Sequence, residues 1–118
     1  MLGHLTIYTK KLPEMVAFYR DHFGFDVIER EGDRITELIH PNGGMRILLH
    51  KAANSQKMGQ ALVKLGMDVR DIEGLRTRFI AAGIKVGPCH DGIGYLYCNL
   101  KDPSGNTVAL SSRAYMAR

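Results

Sequence analysis

The chain is short of most features that mark a specialised class. No apolar run approaches the roughly 20 residues that span a bilayer, so no membrane partner is expected. The opening residues, Met1-Leu2-Gly3-His4, lack the basic-then-apolar layout of a secretory leader, and the expected location is cytoplasmic. There are two cysteines, Cys89 and Cys98, and their spacing is not that of a metal knuckle. Two reduced thiols are the expectation in a cytosolic setting, although a hairpin turn at Gly92 would bring them near each other on paired strands. The basic residues form no cluster interleaved with aromatics, so no nucleic-acid partner is expected. The net charge of +4 and the pI near 9.2 mildly favour anionic ligands. With 45% hydrophobic and 24% charged residues, the chain sits near the globular average, which argues against disorder.

What is present reads as alternating elements. Helix periodicity runs from about Pro13 to His22, through Met15, Phe18, Tyr19 and Phe23, with Pro13 in the first turn and Gly24 as its stop. A second helix is expected from about Asp71 to Ala82. Asp71 is its N-cap, Glu73 suits the dipole, Ile72, Leu75 and Phe79 line one face, and Gly83 ends it. Strands are expected at Leu5–Tyr8, Phe25–Arg30, Ile35–His40, Met45–His50, Leu62–Val69, Ile84–Val86, Tyr95–Leu100 and Thr107–Ser111. Turn signals stand at Gly32-Asp33, at Pro41-Asn42-Gly43-Gly44 and at Asp102-Pro103-Ser104-Gly105.

The order strand–helix–three strands thus occurs twice. A shift of 60 pairs Leu5 with Leu65, Ile7 with Met67, Leu12 with Ile72, Met15 with Leu75 and Tyr19 with Phe79. Shifts of 59 and 61 pair Gly24 with Gly83, Phe25 with Ile84, Val27 with Val86, Gly44 with Gly105, Ile47 with Val108 and Leu49 with Leu110. The expected fold is α+β: two βαβββ modules forming a curved mixed sheet around a cleft, with the helices outside. The modules are expected at about 1–50 and 60–112 of a single domain, with a polar linker at about 51–59 and a tail at 113–118.

Strand alternation sorts the side chains. Leu5 and Ile7, Met45, Ile47 and Leu49, Leu65, Met67 and Val69, Leu96, Cys98 and Leu100, and Val108 and Leu110 are expected to face the helices. The helix-distal set then contains His4, Thr6 and Tyr8, Arg46, Leu48 and His50, Lys64 and Asp68, Tyr95, Tyr97 and Asn99, and Ala109. This mixture is too aromatic for a solvated face and too charged for a core. It suits a concave surface that holds a small molecule, the competing use being subunit association.

Three segments carry a family resemblance. Val16-Ala17-Phe18-Tyr19-Arg20-Asp21-His22-Phe23-Gly24-Phe25 resembles the FYRDxLGF helix-to-strand signature of the vicinal oxygen chelate superfamily. Asp102-Pro103-Ser104-Gly105-Asn106 resembles its DPxGN turn, and Val69-Arg70-Asp71-Ile72 resembles the start of its second helix. That superfamily includes glyoxalase I, the bleomycin- and fosfomycin-resistance proteins and the extradiol dioxygenases. The resemblance implies a divalent metal held by His, Glu or Gln at the positions of His4, Leu48, Lys64 and Ala109. Only His4 matches. The last strand reads Gly105-Asn106-Thr107-Val108-Ala109-Leu110 where metal-binding members read GNxxEL, so a methyl replaces the carboxylate. No metal and no cofactor are therefore expected.

The reading that follows is a metal-free binding protein. Tyr8, Tyr95 and Tyr97 would stack on the ligand, Arg46 and Lys64 would supply charge, and Asp68 or Asn99 would orient it. The bleomycin-binding branch is typically acidic and takes a cationic drug. This basic chain points instead to an aromatic or anionic ligand. The alternative is an enzyme of the glyoxalase or dioxygenase type. It would use either a rebuilt metal site around His4, with His50, His90 or Glu37, or acid–base groups among His4, His50, Tyr97 and Lys64. The resemblance also implies a homodimer, in some members formed by exchange of modules.

Overall fold

A computed structural model describes residues 1–117; Arg118, the end of the expected tail, lies outside the described residues. The chain divides into two compact units, Met1–Met58 and Gly59 onward. No helix among the described residues is long and apolar enough to cross a membrane.

The first unit runs β1 (His4–Thr9), α1 (Leu12–Phe23), β2 (Asp26–Ile28), β3 (Ile35–Ile39) and β4 (Arg46–Lys51). Its four strands lie in the order β1-β4-β3-β2, with β1 parallel to β4 and the other pairs antiparallel. Pro13 pre-sets the first turn of α1, and Gly24 closes the helix in the left-handed conformation at φ 75°. Phe25 N–H then reaches back to Tyr19 O at 3.3 Å, completing the cap. Met15, Phe18 and Tyr19 from the helix meet Phe25, Leu38, Ile47 and Leu49 in the core. Tyr19 stands edge-on to Phe25, with ring centroids 5.9 Å apart. Within the Phe18-Tyr19-Arg20-Asp21 run, the Arg20 guanidinium bonds Asp21 at 2.8 Å and holds its carboxyl below the ordinary range. That pair is solvated and adds little to stability.

The polar stretch after β4 is tied to this unit. Ala52 is buried and donates its N–H to Thr9 O at 2.9 Å. Lys10 N–H approaches Met58 Sδ at 3.2 Å, and Lys10 Nζ donates to Asn54 O at 2.9 Å.

The second unit runs β5 (Lys64–Asp68), α2 (Ile72–Ala81), β6 (His90–Asp91), β7 (Leu96–Lys101) and β8 (Thr107–Ser111), followed by a 3-10 turn at Arg113–Tyr115. Its order, β5-β8-β7-β6, repeats that of the first, again with one parallel pair, β5 and β8. Asp71 caps α2 by accepting Gly74 N–H at 3.0 Å. Among the described residues of this unit, Ile72, Phe79, Cys98, Leu100, Val108, Ala109 and Leu110 are the buried apolar side chains.

The turn before β8 is a closed hydrogen-bond unit. The buried Asp102 accepts the N–H groups of Ser104 and Asn106 on Oδ1 and the Asn106 side-chain amide on Oδ2, all at 2.9 Å. Gly105 takes φ 85° here, and its backbone lies against that of Gly59.

Three expectations need correction. The strand expected at Ile84–Val86 does not form; Val86 makes only an isolated bridge with Leu100, and the sixth strand is His90–Asp91. Pro88 explains this. It has no N–H for the edge of the sheet, so Gly87 donates to Asn99 O at 2.8 Å instead and the chain bulges. Met45, expected in the core, lies outside β4 and is 42% exposed. Tyr95 is the last residue of the Gly92–Tyr95 turn rather than part of β7; Gly92 N–H donates to its carbonyl at 2.8 Å.

Candidate functional site

Strand register groups the expected site residues into rows, each crossing one sheet on its helix-distal side. In the first unit His4 stands beside Arg46, Thr6 beside Leu48 and Glu37, and Tyr8 beside His50 and Ile35. In the second, Lys64 stands beside Thr107 and Lys101, and Gly66 beside Ala109 and Asn99. Asp68 stands beside Ser111, Tyr97 and His90. The twelve expected residues thus fall into two sets: His4, Thr6, Tyr8, Arg46, Leu48 and His50, and Lys64, Asp68, Tyr95, Tyr97, Asn99 and Ala109.

The first set is organised by a residue outside it. Glu37 is only 7% exposed, yet it lies in the row of Thr6 and Leu48. Its two oxygens are taken by Arg46 and Arg30, each at 3.1 Å. The carboxylate neutralises one of these cations and aligns both on the face that carries His4. Tyr8 and His50 form a tilted ring pair at 5.1 Å, and His50 Nδ1 lies 2.9 Å from Lys51 O. Glu37 was legible as a polar residue in an apolar strand, Ile35-Thr36-Glu37-Leu38-Ile39. Its arginine partners come from a loop and from β4, at distances no local pattern encodes.

The second set is centred on Tyr97. His90 lies against its ring at 5.1 Å and Tyr95 at 6.0 Å, while the Lys64 ammonium stands 5.6 Å from the ring centroid. Lys64 and Tyr97 belong to rows on either side of Gly66, Ala109 and Asn99, so the lysine side chain reaches across that row of small residues. A Cβ built on Gly66 would meet nothing within 4 Å, so the space above it is open. In the same row, beyond Ala109, Asn99 Oδ1 is buried without a hydrogen-bond partner among the described residues. An unsatisfied buried acceptor costs on the order of 1–3 kcal/mol and marks a place where a donor is missing. Arg113 lies over the Tyr95 ring at 5.1 Å, adding a second cation at the rim. An open depression of about 1050 Å³ at the C-terminal end of α2 touches this face only at Asn99, Lys101 and Thr107.

The residues do not fit a divalent metal. Of the four positions that hold one in the superfamily, His4 alone offers a ligand atom; Leu48 and Ala109 offer none and Lys64 is a poor one. Both oxygens of Glu37, the carboxylate in the row next to His4, are engaged by arginines. No group of three or more His, Cys, Asp or Glu among the described residues is placed to hold an ion.

Comparison with known proteins agrees with this architecture. Lactoylglutathione lyase from Agrobacterium tumefaciens superposes with a TM-score of 0.73 at 24% identity, over 94% of this chain and 92% of that one. TnmS3, an antibiotic-binding protein from Streptomyces sp. CB03234, superposes with a TM-score of 0.78 at 16% identity, over 93% of each chain. A virulence protein from Salmonella typhimurium gives 0.72 at 20% identity, over 94% of each chain. At these identities the likeness is one of fold. No curated protein matches the chain. The family model of the Glyoxalase/Bleomycin resistance protein/Dioxygenase superfamily matches residues 1–110, and with the repeated βαβββ architecture this makes the chain a member of that superfamily.

Proposed function

We propose that this protein binds a small aromatic or anionic molecule without a metal, and that the Tyr97 face of the second unit is the principal recognition surface. The observation that carries this reading is the grouping of His90, Tyr95 and Lys64 around the Tyr97 ring, next to a row in which the space above Gly66 is open and Asn99 Oδ1 is unpartnered among the described residues. A planar ligand stacks on Tyr97, its anionic group meets Lys64, and a donor on it satisfies Asn99. The missing ligand atoms at Leu48 and Ala109 support binding without chemistry. TnmS3, a family relative by fold, is an antibiotic-binding protein, and this precedent favours the same class of activity.

The test is calorimetric titration with a panel of aromatic carboxylates and their neutral amides, alongside elemental analysis of the purified protein. Tyr97→Ala is expected to weaken binding of both series about tenfold, ~1.4 kcal/mol. Lys64→Met is expected to weaken the carboxylates and spare the amides. Stoichiometric nickel, zinc, manganese or iron would overturn the metal-free reading. Equal affinities in the native protein and the Tyr97 variant would overturn the choice of surface.

A further inference from the structure

The β6–β7 hairpin holds a pair of thiols that the binding reading does not use. The turn bond from Gly92 to Tyr95 makes those two residues a hydrogen-bonded pair. Pairing then continues through Asp91 with Leu96 and His90 with Tyr97. The next position sets Cys89 opposite Cys98. Alternation along an antiparallel ladder makes this a non-hydrogen-bonded pair. The other edge of β7 agrees. Ser112 N–H donates to Leu96 O, so the backbone groups of Leu96 and Cys98 point to β8, away from β6. Non-hydrogen-bonded partners have Cα atoms about 4.5 Å apart, inside the roughly 4.4–6.8 Å that a disulfide bridges.

The Cys89 thiol is close enough to Cys98 to act on its ionisation. They lie on the helix side of the sheet, opposite to Tyr97 and Asn99. Cys98 is fully buried and Cys89 is partly exposed. Burial and the neighbouring Cys89 push the Cys98 thiol up, while the Arg76 guanidinium nearby opposes this. Arg76 is fixed there by donating Nε–H to Gly87 O at 2.8 Å. The two sulfurs therefore differ in access: Cys89 is partly exposed to solvent, whereas Cys98 is shielded from it.

We propose that Cys89 and Cys98 form a reversible cross-strand dithiol, oxidised by small aliphatic disulfides, with Cys89 as the entry thiol and Cys98 as the resolving one. The Cys89 thiolate attacks one sulfur of the small disulfide, forming a mixed disulfide and releasing one small thiolate. Cys98 then gives up its proton and attacks the Cys89 sulfur. The Cys89–Cys98 bond forms, and the second small thiol leaves. Two protein thiols lose two electrons and two protons, and the small disulfide gains them as two thiols. The new bond lies behind the His90–Tyr97 pair and staples the strands that carry it.

Oxidised glutathione is the probe, applied to the full native chain. Both free thiols are expected to disappear, the mass to fall by two hydrogens, and peptide mapping to join Cys89 to Cys98 within one chain; dithiothreitol reverses all three. Cys98→Ser is expected to stop at a single glutathione on Cys89, and Cys98→Ala repeats this should serine at the buried site prevent folding. Cys89→Ser is expected to react at least about tenfold more slowly than the native chain, because its remaining thiol is buried. Glutathione accumulating on native Cys89 without closure would overturn the proposal. So would two thiols still free under excess oxidant, links between chains, or a Cys89 variant that reacts at the native rate.

Discussion

The two units place different chemistry at one equivalent point. In the first, the row Thr6, Leu48, Glu37 ends on a buried carboxylate held by two arginines. In the second, the row Gly66, Ala109, Asn99 ends on an amide whose oxygen is buried without a partner among the described residues. The same strand register thus carries a satisfied polar group in one copy and an unsatisfied one in the other. The small residues beside Asn99 leave room for something to approach, whereas Leu48 fills the matching place beside Glu37. The comparison teaches that a duplicated scaffold can satisfy the polar group of one copy internally and leave the other copy's without a partner among the described residues.

The helices differ in the same direction. Met15 of α1 is fully buried, while its repeat partner Leu75 in α2 is half-buried. Met15→Ala is expected to cost about 2–5 kcal/mol and Leu75→Ala clearly less, measured by urea unfolding. Equal costs would break this difference between the two helices.

A smaller effect tests the paired rows directly. Glu37→Leu leaves Arg30 and Arg46 without their shared carboxylate and is expected to destabilise by about 1–3 kcal/mol, the arginines being partly solvated. Asn99→Leu removes the unsatisfied oxygen and is expected to be neutral or stabilising by about 1 kcal/mol, while weakening the aromatic amides, whose N–H that oxygen would accept. Destabilisation of the same size at both positions would erase the distinction between the rows.

The smallest expected effect lies at the helix starts. Asp71→Ala is expected to cost about 1 kcal/mol, because it frees Gly74 N–H. At the matching position in α1, Lys11 makes no side-chain cap, and Lys11→Ala is expected to leave the thermal midpoint unchanged.

Much of the fold was legible in the chain. Pro13, Gly24 and Asp71 bound the helices where capping chemistry requires, and the strict alternation of His4-Leu5-Thr6-Ile7-Tyr8-Thr9 separates the faces of β1. The sixth strand was misplaced because Ile84-Lys85-Val86 has strand-like chemistry, whereas pairing is governed by the missing N–H of Pro88 and the turn at Gly92. The shared face of Tyr97, Lys64 and Asn99 followed from strand parity. His90 and Glu37 entered only as conceivable metal ligands, because their actual partners, Tyr97, Arg30 and Arg46, are set by cross-strand register.

The sequence by itself determined the duplicated element order, the helix boundaries, the faces of the strands and which residue types stand at each position. These depend on local backbone preference, on the two-residue period of a strand and on residue identity. Only the tertiary structure decided that Glu37 is neutralised by two arginines, that Lys64 reaches Tyr97 across a row of small residues, and that Asn99 is left unpartnered. It also decided that the β6–β7 hairpin brings Cys89 close to Cys98. Each of these depends on which residues stand opposite one another once strands pair, and a single residue of slip between the paired strands concerned would have changed the answer.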